Sequence, residues 1–126
     1  MKSRRRLSAW VVTFRNACSG LGFVIRTQTN ARVHLLATIA VIIAGLWLRI
    51  EKQDWLILLI SIAMVWMAEN FNTALEQIVD LVSPDVHPLA RQAKDVAAAA
   101  VLITAIFSLI IGGIIFLPAL LDKITS

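Results

Sequence analysis

Residues 69 to 80, ENFNTALEQIVD, follow fourteen uncharged residues, WLILLISIAMVWMA, without a break. At about 100° per residue, Glu69, Thr73, Glu76 and Asp80 fall on one helical stripe, with Asn72 at its edge. Acids in or beside hydrocarbon are expensive and usually have work to do. Downstream, LVSPDVHPLARQAKD carries two prolines and Ser83, which mark a turn and a fresh helix start. Lys94 and Asp95 open that helix at the same membrane depth, so a cation and another acid can approach the stripe from a neighbouring helix. The set offers carboxylates for a divalent cation, an ammonium for a phosphate and one spare carboxylate for a base. Those are the parts of phosphoryl transfer, which is mostly positioning and charge neutralisation around a metal-bound triphosphate.

Other readings of the same residues stand beside this one. The acids can sit in the headgroup region, paired with Arg91 or Lys94. Intramembrane acids also suit a proton or ion conduit, although so small a chain would need to oligomerise to form one, and a conduit gives no reason for the Lys94 and Asp95 pair. His34 and His87 carry no metal-ligand spacing between them and each reads as a structural or interfacial histidine. GLG at 20 to 22 is no nucleotide fingerprint, and the chain has no GxxxxGK[ST] loop and no kinase-type HRD or DFG. A nucleotide site here is of an unusual kind.

The elements that must position these residues follow from composition and periodicity. The chain has 126 residues, of which 59% are hydrophobic and 16% charged, which describes a membrane protein and one compact unit over residues 1–126. Its basic excess need not mean nucleic acid: Lys2, Arg4, Arg5 and Arg6 lie beside apolar sequence, as a cytoplasmic anchor at anionic lipid would. Leu7, Trp10, Val11, Phe14, Cys18, Leu21 and Ile25 recur at helical spacing, giving an amphipathic surface helix over about 7–27. Three spans are predicted at about 33–50, 55–80 and 95–118, the last with Pro118 near its end. The fold class is therefore an all-α membrane protein with a surface helix and three transmembrane helices. With the N-terminus inside, nine basic residues face the cytoplasm against Arg49, Lys52 and Lys123 outside, which places the C-terminus outside a bacterial-type cell membrane. Trp47 and Trp55 bracket the short outer loop, as an aromatic belt would. Ala93, Ala97, Ala98, Ala99 and Ala100 form a surface suited to close helix packing, and the single Cys18 excludes an intramolecular disulfide.

Three segments, TNARVHL (29 to 35), ENFNTALEQIVDL (69 to 81) and HPLARQAKDVAAAAVL (87 to 102), resemble the successive signatures of the small bacterial integral-membrane lipid kinases, the diacylglycerol kinase and undecaprenol kinase family. The resemblance covers essentially the whole chain. It implies ATP-dependent phosphorylation of a membrane lipid hydroxyl with Mg²⁺, by a homotrimer whose sites are shared between subunits and whose alanine-rich face is interface. By the same resemblance Glu69 matches the general base and Asn72 the residue that orients it, with Glu69, Arg32 and Ala98 beside the lipid. Glu76 matches a ligand of Mg²⁺, Lys94 the cation on the phosphates, and Asp80 and Asp95 the polar wall around ATP. Asp85, Val86 and His87 lie in the loop that covers the nucleotide.

Two departures from the family pattern matter. Gln28 stands where the family carries a glutamate as its second metal ligand; a glutamine carbonyl can bind a hard cation but gives up one negative charge. Asn16 occupies a position against the nucleotide where a tyrosine is common. The first departure keeps open a catalytically silent membrane scaffold of the same fold. R-x-H-L, with His34 rather than an acid, and the V-D-L-x-x-P turn resemble the undecaprenol kinase branch more than the diacylglycerol kinase branch.

Overall fold

The computed structural model describes residues 2–125, with side chains from residue 9 onward. The side chains of the basic cluster Lys2, Arg4, Arg5 and Arg6, and of Leu7, lie outside the described residues. Four helices follow in order: α1 (Lys2–Thr27), α2 (Thr29–Leu48), α3 (Lys52–Val82) and α4 (Pro88–Thr125). The last three are long and apolar enough to cross a membrane, and with α1 they give the expected all-α plan of one amphipathic and three spanning helices.

One residue separates α1 from α2. Gln28 is extended, at φ −100° and ψ 120°, yet its N–H still donates to the Val24 carbonyl at 2.8 Å, and its own carbonyl accepts from Arg32 N–H at 3.4 Å. The hydrogen-bond ladder is thus handed from one helix to the next with a change of direction. Arg32 then reaches back: its Nε donates to the Ile25 carbonyl at 3.1 Å, and its Nη2 to that of Arg26. A guanidinium at the orphan carbonyls of a helix C-terminus satisfies them and opposes the helix dipole. On α1, Trp10 is 73% and Phe14 72% exposed, an apolar face that no other helix of the chain covers and that suits the membrane surface.

The helix ends that follow have local causes. Arg49 closes α2 in the left-handed region at φ 53°, where Arg49 N–H donates to Leu46 O at 3.4 Å and Ile50 N–H to Gly45 O at 3.2 Å. Gly45 is buried against the first turn of α3, and a Cβ there would stand 2.8 Å from the Trp55 ring. Gly45→Ala is therefore expected to cost about 1–3 kcal/mol, the usual range for overpacking, measured as thermal unfolding in detergent micelles; unchanged stability would mean that Trp55 swings aside. Lys123 Nζ, at the far end of α4, donates to Trp47 O at 3.0 Å and lies 4.4 Å above its ring.

The helix α4 extends beyond the predicted third span at both ends. It runs through Pro118 to Thr125. In an apolar setting the backbone has no water to turn to, so a spanning helix tolerates proline better than a soluble one. α4 also begins about two turns before residue 95, at Pro88, because His87 caps it: Leu89 N–H donates to His87 Nδ1 at 3.2 Å, and proline suits the first helical position.

α4 packs chiefly along α3, with α2 against both. The few buried apolar residues include Leu58, Val65, Val101 and Ile115. Polar ties supplement them, as expected where lipid gives little hydrophobic drive between helices. Ser61 Oγ donates to Ser108 Oγ at 2.7 Å, joining α3 to α4, and Trp66 Nε1 donates to Thr38 Oγ1 at 3.1 Å, joining α3 to α2. The 31 residues of α3 rise about 46 Å at 1.5 Å per residue, against a hydrocarbon core of about 30 Å. Its acidic turns therefore reach the polar zone.

Candidate active site

The site lies on the last four turns of α3, where the helix faces α2 on one side and the start of α4 on the other. Glu69 is the most deeply placed acid, 1% exposed. Its Oε2 stands 3.9 Å from His34 Nε2 of α2, and neither atom has a hydrogen-bond partner among the described residues. One turn further on, Asn72 is buried and Glu76 half-buried, and Asn72 Nδ2 donates to Glu76 Oε1 at 3.0 Å. Asn72 thus orients Glu76, with no hydrogen bond to Glu69. Its Oδ1 is a third buried polar atom without a partner. Thr73 Oγ1 donates back to the Glu69 carbonyl at 2.9 Å, so Thr73 stabilises the turn while the carboxylate stays free.

At the end of the stripe, Lys94 of α4 pairs with Asp80. Both line a bowl of about 310 Å³ between the end of α3 and the start of α4, together with Asp85, Val86, His87 and Arg91. Ser83 shapes its floor: its N–H donates to Val79 O at 2.8 Å and its Oγ to Asp85 O at 3.1 Å. Asp95 points instead to Arg91, at 4.0 Å on an exposed face, where an ion pair contributes little to stability.

Sequence and fold converge at the comparisons with known proteins. The prokaryotic diacylglycerol kinase family matches residues 15–116, a stretch that holds every candidate residue from Asn16 to Ala98. An undecaprenol kinase of Bacillus subtilis is 39% identical over 117 residues, covering 93% of this chain and 95% of that protein. A diacylglycerol kinase of Synechocystis is 41% identical over 128 residues, covering 96% of this chain and 73% of that protein. The diacylglycerol kinase of Escherichia coli is 32% identical over 75 residues, covering 60% of this chain and 62% of that protein. The chain belongs to the prokaryotic diacylglycerol kinase family.

In this lipid kinase two groups of candidate residues come together. Glu69, Asn72 and Glu76 form one, and Asp80, Asp85, Val86, His87 and Lys94 share the bowl. Others stand apart. Asn16 is exposed on α1 and Ala98 on α4; the amide of Gln28 donates to its neighbour Thr27 Oγ1 at 3.4 Å, and Arg32 caps α1. Among the described residues no group of three or more His, Cys, Asp or Glu is placed to hold a metal ion. The residue that sequence reasoning undervalued is His34. The signal was faint: it is the one titratable side chain between Arg32 and Arg49, in an otherwise apolar run.

Proposed function

We propose that this lipid kinase moves the γ-phosphoryl group of ATP to the primary hydroxyl of a membrane lipid alcohol at the cytoplasmic interface, undecaprenol first and diacylglycerol as the alternative. The observation that carries this reading is Glu69: a buried carboxylate with an unpartnered oxygen, two turns from Glu76 and three from Asp80 and its Lys94 partner. The lipid hydroxyl donates a hydrogen bond to Glu69, and its proton passes to that carboxylate as the hydroxyl oxygen bonds to the γ-phosphorus. The bond from that phosphorus to the β,γ-bridging oxygen breaks, and ADP leaves. Lys94 exchanges Asp80 for phosphate oxygens, while Asp80, Asp85, Val86 and His87 wall the nucleotide; Asn16 and Asp95, which stand apart from that bowl within one chain, join the wall in a site shared between the subunits of a homotrimer. Arg32 and Ala98 flank the lipid.

A donor set built on Glu76 suits Mg²⁺, which is commonly held by one or two carboxylates plus substrate phosphates rather than by an all-protein cage. Asn72, already bonded to Glu76, fixes that carboxylate. Glu76 and Gln28 would hold the ion, which when bound neutralises the phosphates. Gln28→Glu is expected to lower the Mg²⁺ concentration at half-maximal rate several-fold by adding a charge to the donor set. An unchanged Mg²⁺ titration would remove residue 28 from the metal.

The working unit is the whole chain, 1–126, as a homotrimer with the N-terminus cytoplasmic and the C-terminus outside. The distribution of basic residues supports that orientation, and the exposed alanine surface at the start of α4 supports close packing with another helix. The test is label transfer from γ-labelled ATP to undecaprenol and, separately, to diacylglycerol in mixed micelles with Mg²⁺. Label in one lipid assigns the acceptor. No label in either, with folded protein, overturns the reading in favour of a silent scaffold.

A further inference from the structure

We propose that His34 is the positioning residue for Glu69, setting the orientation of the carboxylate from across the α2–α3 interface; this rests on the phosphotransfer reading above. Two buried polar atoms, His34 Nε2 and Glu69 Oε2, face each other at 3.9 Å, and neither has another hydrogen-bond partner among the described residues. Leaving a buried polar group unpaired is costly, so two such groups in one place are made for each other or for a hydroxyl between them. The gap is too long for a direct hydrogen bond. It is short enough for a small side-chain rotation to close, or for one oxygen atom to bridge.

No other group takes the imidazole Nε2 among the described residues. His34 also borders a cavity of about 250 Å³ between α2, α3 and α4, lined by apolar residues and by the hydroxyls of Thr38, Ser61 and Ser108. Each hydroxyl donates its proton elsewhere: Thr38 to the His34 carbonyl at 2.7 Å, Ser61 to Ser108, and Ser108 to the Thr104 carbonyl at 2.7 Å. Glu69 is the one acid within reach of the ring among the described residues.

Hydrogen bonds tie the two helices together beside the pair. Trp66, one turn before Glu69 on α3, donates to Thr38, which donates to the backbone of His34. That chain fixes the histidine turn of α2 against the glutamate turn of α3. A carboxylate held on one oxygen by Nε2–H presents the other to the lipid hydroxyl in a constant direction, and such supporting contacts around a reacting group govern rate more than binding.

Two measurements test this. In the micelle assay His34→Ala is expected to lower kcat on the order of 10–100-fold, the usual cost of losing a supporting contact, with little change in KM for ATP. His34→Gln, whose amide can place an N–H near Nε2, recovers most of the loss. In a Glu69→Gln background His34→Ala costs nothing further, because the group it positions is gone. A wild-type kcat in His34→Ala, or equal losses in the alanine and glutamine variants, overturns the proposal. The second measurement needs no turnover: the chain has two histidines, His34 and His87, so imidazole ¹⁵N resonances are readily assigned. Glu69→Gln shifts the His34 signals and leaves those of His87 in place. Unmoved His34 signals overturn the positioning role even where phosphotransfer is robust, whereas a shift without phosphotransfer overturns only the kinase reading.

Discussion

Glu69→Gln is expected to reduce lipid phosphorylation by on the order of 10²–10⁴-fold, the range that general-base catalysis contributes, while ATP still binds. The substitution keeps the shape of a side chain that is 1% exposed and removes only its ability to take a proton, so helix packing is preserved. Folding is checked by unfolding temperature, ATP binding by equilibrium dialysis and turnover by label transfer. Lost turnover with retained binding assigns the base. A near-wild-type rate sinks that role, and lost ATP binding would make Glu69 part of the nucleotide site instead. The separation is sharp because Glu69 lies some three turns along α3 from the bowl that holds Lys94 and Asp80.

Much of this arrangement was legible in the chain. A stripe at 69, 73, 76 and 80 is a matter of helical period, and three apolar runs mark the spans, although only the last exceeds the ~20 residues of a full crossing by itself. Glu69, Asn72 and Thr73 duly share a buried face. What the chain left open was choice between equals. Asn72 can reach Glu69 three residues back or Glu76 four residues on, and period alone does not decide; its amide went to Glu76. The facing of His34 and Glu69 depends on how α2 lies against α3, which no local spacing encodes. Helix ends depend on partners in the same way. Proline breaks soluble helices, but α4 continues through Pro118, and the start of α4 at Pro88 rests on the hydrogen bond from Leu89 N–H to His87 Nδ1.

The pairing of Lys94 with Asp80 separates a structural role from a functional one. Lys94 is half-buried and Asp80 largely exposed, so the pair is worth at most about 1 kcal/mol to the fold. Lys94→Met, which keeps the apolar stem, should therefore change the unfolding temperature in micelles very little. Against a triphosphate the same ammonium matters far more. A charge-assisted hydrogen bond contributes about 1.5–3 kcal/mol, so its loss is expected to raise KM for ATP by roughly 10–100-fold, read from initial rates at varied ATP. Asp80→Asn is expected to have the opposite sign, a modest fall in that KM, because it frees Lys94 from an internal competitor. If Lys94→Met instead lowers stability and leaves the KM unchanged, the lysine is a tie between α3 and α4, and the bowl beside it is not where the nucleotide sits. The two variants together decide the matter, since a purely structural pair would be weakened by either substitution in the same direction.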